Sequence, residues 1–174
     1  QLREHNEDAL CFATLDLLLR SADFRRVFVP DLILQLGGVP TNSGAQRFLD
    51  QAEVPHYCIA PDIARRDAAH AVSLHAYGDT GEFLLRLSEF LDGCPQREAD
   101  AAFNAAIRKA DAVARKVLTE RCAALSVPFE GAVLHRLLPR LPAHSAVFVS
   151  SSMPIRDMET FATQLPEGCR VFFN

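Results

Sequence analysis

This sequence has no long apolar run, no basic run and no regular cysteine spacing. No stretch approaches the roughly 20 apolar residues needed to cross a bilayer, so no membrane span is expected. The 18 Lys and Arg against 22 Asp and Glu leave a net charge of −4, and the basic residues are scattered. That distribution argues against a nucleic-acid or membrane-binding face. The opening Gln1-Leu2-Arg3-Glu4-His5-Asn6-Glu7-Asp8 lacks a signal-peptide pattern, and a cytoplasmic setting is the expectation. A start at Gln rather than Met is what a piece of a longer protein would show. The five cysteines, Cys11, Cys58, Cys94, Cys122 and Cys169, are odd in number and far apart, which suits reduced core residues. Six histidines offer no pair at metal-binding spacing with a third ligand, so no metal site is expected and His56, His75 and His135 read as strand or helix-face residues. A G-x-G-x-x-G fingerprint, a Walker lysine and a G-x-S-x-G elbow are all missing.

What is present is an alternation of helical and strand patterns. At 174 residues the chain is long enough for one domain, 1–174, with a full core. A helical stripe of Leu10, Cys11, Leu15, Leu18 and Leu19 runs over Asp8–Leu19. Leu32–Leu36 is a continuous apolar run stopped by Gly37-Gly38, suited to a strand buried on both faces. A helix is expected over Ser43–Ala52, a strand at His56–Ala60, and a weaker one at Ala71–His75. Asp79 or Thr80 caps a helix through Phe90. A long Ala-rich helix spans Glu98–Leu125, another opens at Pro128 and ends near Pro139, and a strand follows at Val147–Val149. Met158–Leu165 is helical, Pro166-Glu167-Gly168 a turn, and Arg170–Phe173 a last strand. Strands separated by helices predict a Rossmann-like, doubly wound α/β fold, with a mainly parallel sheet of about five strands and helices on both faces.

The segment Val147–Glu159 says most about function. Three β-prone residues end in Ser150-Ser151-Ser152, then Met153-Pro154-Ile155, then Arg156-Asp157 opening a helix. Open α/β sheets hold ligands where a strand ends in small polar residues and turns into a helix. Free N–H groups at the helix start, serine hydroxyls and one arginine favour an anion, a carboxylate or a phosphate. Pro154 fits the first turn, where a missing N–H is no loss. The competing reading is an ordinary Ser N-cap with Arg156 solvated. Elsewhere, Gly37-Gly38 reads as a strand-to-loop break and Gly78-Asp79-Thr80 as a helix cap. A serine nucleophile among Ser150–Ser152 lacks any assignable histidine base.

The Ser152-Met153-Pro154-Ile155-Arg156-Asp157 segment resembles a motif of the form Gly-Asn-Ser-Met-Pro-Ile-Arg-Asp. That motif belongs to the thiamine-diphosphate enzymes that make 2-succinyl-5-enolpyruvyl-6-hydroxy-3-cyclohexene-1-carboxylate in menaquinone and phylloquinone biosynthesis. Pro30–Gly37 with Pro40-Thr41, then Asp67-Ala68-Ala69-His70, then Gly81-Glu82-Phe83-Leu84, fit the central domain of that family in order. Val171-Phe172-Phe173-Asn174 is similar to the strand leading into its Asn-Arg-Gly sequence. The chain departs from the family in having Ser150 and Ser151 for Gly and Asn, and Asn42-Ser43 where a basic pair is usual. The family's pyrimidine-binding and diphosphate-binding domains, with the Gly-Asp-Gly cofactor motif, are not in this sequence.

The resemblance implies that the intact protein decarboxylates 2-oxoglutarate on thiamine diphosphate and Mg²⁺. The succinyl-semialdehyde carbanion so formed then adds to isochorismate. It further implies that Ser152 and Arg156, with Ser151 more weakly, contact the carboxylate carried over from 2-oxoglutarate. No residue of this chain is then expected to be catalytic or to bind cofactor or metal, and the chain alone is expected to be inert. A homo-oligomer, dimer or tetramer, is expected of the full-length protein, in the cytoplasm or, in a photosynthetic eukaryote, the plastid. The alternative is a non-catalytic Rossmann-like module for nucleotide binding, scaffolding or oligomerisation.

Overall fold

The computed structural model describes residues 12, 14–64, 67–95, 101–127 and 129–173. Expectations that fell on Leu10, Cys11, Glu98, Pro128 and Asn174 lie outside them. The chain divides into two compact units, Ala22–Ala99 and, together, Gln1–Ser21 and Asp100–Asn174.

Within Ala22–Ala99, strands β1 (Ile33–Leu36), β2 (His56–Ala60) and β3 (Leu74–Tyr77) form a parallel sheet in the order β1-β2-β3. Helix α3 (Ser43–Gln51) connects β1 to β2 as a crossover. One sheet face carries Gln35, Cys58 and His75 in register; the next row carries Leu34, Tyr57 and Leu74, all substantially exposed. Gly37 takes φ +82°, which suits glycine, and its N–H bonds the Ile59 carbonyl at 2.8 Å, ending β1 as the Gly pair predicted. Asp79 caps α4 (Thr80–Asp92) by accepting the Glu82 N–H at 2.8 Å.

Two elements of this unit differ from expectation. The third strand begins at Leu74, not Ala71, because the Asp67 carboxylate captures the Ala71 and Val72 N–H groups at 2.9 and 3.1 Å. Those donors are therefore lost to a ladder. Helix α2 (Ala22–Val27) was not anticipated, for none of its residues is buried and so no apolar stripe marks it. Aromatic contacts hold its end: Phe28 stacks on Phe24 at 5.2 Å and meets Phe48 of α3 at 5.7 Å.

The other unit contains helix α1 (Leu15–Arg20), the long α5 (Ala101–Ala124), α6 (Glu130–Leu137) with a 3₁₀ turn at Leu138–Arg140, and a parallel βαβ unit. That unit is β4 (Ala146–Val149), α7 (Met153–Phe161) and β5 (Arg170–Phe173). Its core gathers Leu138, Val149, Met158 and Ala162, with Leu134, Ile155, Leu165 and Val171 against them. Gly131 is where α6 meets α7: a Cβ there would fall into the Phe161 ring and within 2.8 Å of Phe129, and those two rings pack edge-on at 5.2 Å. Helix α7 spans Met153–Phe161 rather than Met158–Leu165. Pro154 pre-sets its first turn, and Leu165, preceding Pro166, is steered out of the helical region.

All five strands are paired in parallel, and the α/β, Rossmann-like character stands. Among the described residues, however, they hydrogen-bond as a three-stranded and a two-stranded sheet rather than a single five-stranded one.

Candidate functional site

The strand-to-helix turn after β4 holds one of the non-glycine residues with positive φ among the described residues. Ser152, at the N-cap position of α7, has φ +74° and ψ −128°, near the first central position of a type II′ turn. Glycine is the ordinary occupant of such a position; a residue with a Cβ is held there at about 1–3 kcal/mol of local strain. Ser152 makes no capping hydrogen bond with its side chain. Its hydroxyl is therefore not spent on the helix, and Ser150, Ser151 and Ser152 are all exposed at the carboxyl end of the strand. Ser152 thus occupies the N-cap position without the capping bond, while Arg156 is exposed as the competing reading has it.

Arg156 lies one turn into α7 on its exposed side. It donates to the Met153 sulfur at 3.8 Å, and among the described residues it has no carboxylate partner. The inward side of the same helix carries Ile155, Met158 and Ala162 in the core, so the placement of Arg156 follows from the 3.6-residue period. The first-turn N–H groups of Met153 and Ile155 add donors that the helix itself does not use, Pro154 contributing none. The turn thus joins three kinds of positive or donor group, namely hydroxyl, guanidinium and helix-start amide, with no acid exposed among them. It can hold a carboxylate in place; none of these groups is a proton carrier near neutral pH.

Asp157, next along, faces inward and is buried without a hydrogen bond among the described residues. Burial, and secondarily the charge of Glu130 at the start of α6, pushes its carboxyl above the usual range. It stands out only in the fold, because an Arg-Asp pair on a helix gives no sign in the sequence of which member is buried.

His56 and His75 lie on β2 and β3 and His135 on α6; among the described residues no group of three His, Cys, Asp or Glu side chains is placed to hold a metal ion. His56 is buried, its Nε2 paired with Gln35 Oε1 at 2.9 Å, and its pKa is lowered by burial, with Asp67 opposing and His75 assisting. Cys58, Cys122 and Cys169 are buried and Cys94 half-buried, all four free. Burial raises the thiol pKa of Cys58 and of Cys122, which makes them poor nucleophiles. No helix among the described residues is long and apolar enough to cross a membrane.

No protein-family model matches the chain. Curated relatives do. A 2-succinyl-5-enolpyruvyl-6-hydroxy-3-cyclohexene-1-carboxylate synthase of Lysinibacillus sphaericus is 29% identical over 171 residues, 97% of this chain and 29% of that protein. Proteins of the same name from Geobacillus kaustophilus and Microcystis aeruginosa are 30% and 28% identical, over 100% and 92% of this chain and 30% and 27% of theirs. The chain spans less than a third of the length of these relatives. Over nearly all of its own length, it is similar to a segment of the 2-succinyl-5-enolpyruvyl-6-hydroxy-3-cyclohexene-1-carboxylate synthases.

Proposed function

We propose that this chain is the central domain of such a synthase, in menaquinone biosynthesis, and that its Ser152–Arg156 turn grips the carboxylate carried over from 2-oxoglutarate. The observation that carries the reading is the pairing of a strained, uncommitted Ser152 with an arginine lacking a carboxylate partner. The Arg156 guanidinium presents two parallel N–H groups to the carboxylate, the Ser152 hydroxyl donates a third bond, and Ser151 contributes more weakly. A charge-assisted bond of this kind is worth roughly 1.5–3 kcal/mol once closed off from water. The intact protein joins the decarboxylated 2-oxoglutarate unit to isochorismate.

Thiamine diphosphate with Mg²⁺ supplies the carbanion chemistry in this reading. Among the described residues no trio of metal-ligating side chains converges, and the sequence holds no Gly-Asp-Gly. No step through the cofactor is therefore assigned to this chain. Its task is to orient one anion, and we expect the isolated chain to show no turnover with both substrates, thiamine diphosphate and Mg²⁺.

Titration of the labelled chain with 2-oxoglutarate, followed by amide NMR shifts, tests the reading. A solvent-facing arginine contact is worth about 1 kcal/mol or less, so binding is expected only in the millimolar range or weaker. The shifts should centre on Ser151–Asp157 and vanish in Arg156→Gln. In the full-length synthase, Arg156→Ala should lower kcat/KM for 2-oxoglutarate by about 30- to 1,000-fold, with Arg156→Lys a partial rescue. Shifts centred on Gly37 and Gly38, or near-normal kinetics for the alanine variant, would overturn it.

A further inference from the structure

A second concave surface lies in the same unit, at the far end of α7. The last turns of α5, the end of α6, its 3₁₀ turn and the residues after α7 enclose a groove of about 810 Å³. That volume is within the roughly 300–1,000 Å³ typical of small-molecule sites. Basic side chains dominate its lining: Arg115, Lys116, His135, Arg136 and Arg140, against the single acid Glu120. In a chain of net charge −4 this concentration is a local reversal of sign.

Two of these charges are already matched. Arg115 pairs with Asp111 at 2.6 Å and Lys116 reaches Glu120 at 3.9 Å. Arg136 and Arg140 are not matched: among the described residues neither has a carboxylate partner. Arg136 donates to the carbonyls of Cys122 and Ala123 at the end of α5, and Arg140 to the carbonyl of Arg136. A guanidinium carries five N–H donors, so these contacts leave most of them free. The negative end of α5 is covered by Arg136 itself, so it does not repel an arriving anion.

The lining of the groove also carries polar, hydrogen-bonded groups. His135 Nδ1 donates to the Phe161 carbonyl at 3.0 Å, and Nε2 lies 3.2 Å from the Thr119 hydroxyl. Arg115 donates to the Thr163 carbonyl at 2.9 Å. Two unmatched guanidinia above hydroxyl and imidazole groups suit a ligand with several anionic oxygens. At about 1.5 Å per residue, the nine residues of α7 separate this groove from the Ser152 turn by roughly 13 Å, so the two surfaces do not share a ligand.

We propose that this groove is a separate binding site for a small anion carrying two or more charges on phosphate or carboxylate oxygens, held by Arg136 and Arg140. It is independent of the Ser152–Arg156 reading. The test is amide NMR titration of the chain with inorganic pyrophosphate and, separately, citrate, at fixed ionic strength set with NaCl. Saturable shifts over residues 115–123, 135–140 and 163–164 are expected, with a dissociation constant below about 1 mM for at least one of the two. Preference for pyrophosphate assigns a phosphate-bearing ligand, and preference for citrate a polycarboxylate. Arg140→Gln should weaken binding about tenfold; Arg156→Gln should leave it unchanged. If Arg140→Gln melts differently from the parent, Lys116→Gln, an exposed side chain, serves instead with about a threefold loss expected. Absence of saturation by about 10 mM, shifts gathered at Ser151–Asp157, or equal binding by the variant would overturn the proposal.

Discussion

Replacing Asp111 with alanine should unfasten α1 from α5. The Asp111 carboxylate accepts the Thr14 N–H at 3.1 Å, the Thr14 hydroxyl at 2.6 Å and Arg115 Nε at 2.6 Å. Thr14 is 1% exposed and Asp111 7%, so water cannot replace these bonds without local opening. Removing one partner of a buried ion pair costs about 3–5 kcal/mol, but the Arg115 side chain is 37% exposed and regains hydration, which lowers the figure. Each Thr14 donor left unsatisfied adds about 1–3 kcal/mol. A total of at least about 3 kcal/mol follows, or at least about 6 °C in Tm for a chain of this size. Asp111→Asn keeps an acceptor for Thr14 but turns an amide donor toward Arg115, and should lose about 1–2 kcal/mol. Thr14→Val removes the hydroxyl, so in Asp111→Ala/Thr14→Val the combined loss should fall short of the sum by about 1 kcal/mol. Urea unfolding of the parent and the four variants measures this. An alanine variant within about 0.5 kcal/mol of the parent, or strict additivity, would refute the argument.

Ser152→Gly should raise stability by about 1 kcal/mol through relief of positive φ, whereas Ser152→Ala should not; both should weaken 2-oxoglutarate binding, and a less stable glycine variant would show that the turn is unstrained. Asp157→Asn should raise Tm at pH 7. The folded-state pKa lies above the unfolded 3.8, so the ionised carboxylate is penalised in the fold, and the gain should fade as pH drops toward 3.8 and both states protonate. A gain that persists unchanged below that point would point to packing instead. His56 has its pKa lowered from 6.5 by burial, so the unfolded chain takes up the proton first and stability should fall as pH drops below 6.5. Hydrogen-exchange protection factors at Cys58 and Ile59 should fall accordingly, His56→Gln should flatten that dependence, and an identical pH response in the variant would exclude His56 as its source.

Much of the local structure could be read from the sequence because its signals are local. Asp79 before an apolar stripe, Gly37 after an apolar run and Pro166-Glu167-Gly168 each declare a cap, a strand end and a turn within a few residues. The turn after β4 was legible as a composition, Ser-Ser-Ser before Met-Pro-Ile-Arg, but its strained φ was not, since serine does not mark that region as glycine does. Long-range pairings left no trace. Thr14 and Asp111 are 97 residues apart, and the basic groove draws its charges from α5, α6 and the 3₁₀ turn, where each reads as an ordinary solvated side chain. The start of β3 was misplaced because a side chain, Asp67, took the backbone donors that the residue pattern assigned to a strand.

The contact of Gly131 with Phe161 bears on how this domain can change over time. No side chain fits at position 131 while the Phe161 ring stands where it does. A larger residue at 131 is therefore admissible only after Phe161 has become smaller and the Phe129 ring has shifted, whereas the reverse order passes through a clashing intermediate. The loss of the ring first leaves a cavity, which a side chain at 131 can later fill. The two positions are thus bound to a single order of substitution, and α6 and α7 drift together or not at all.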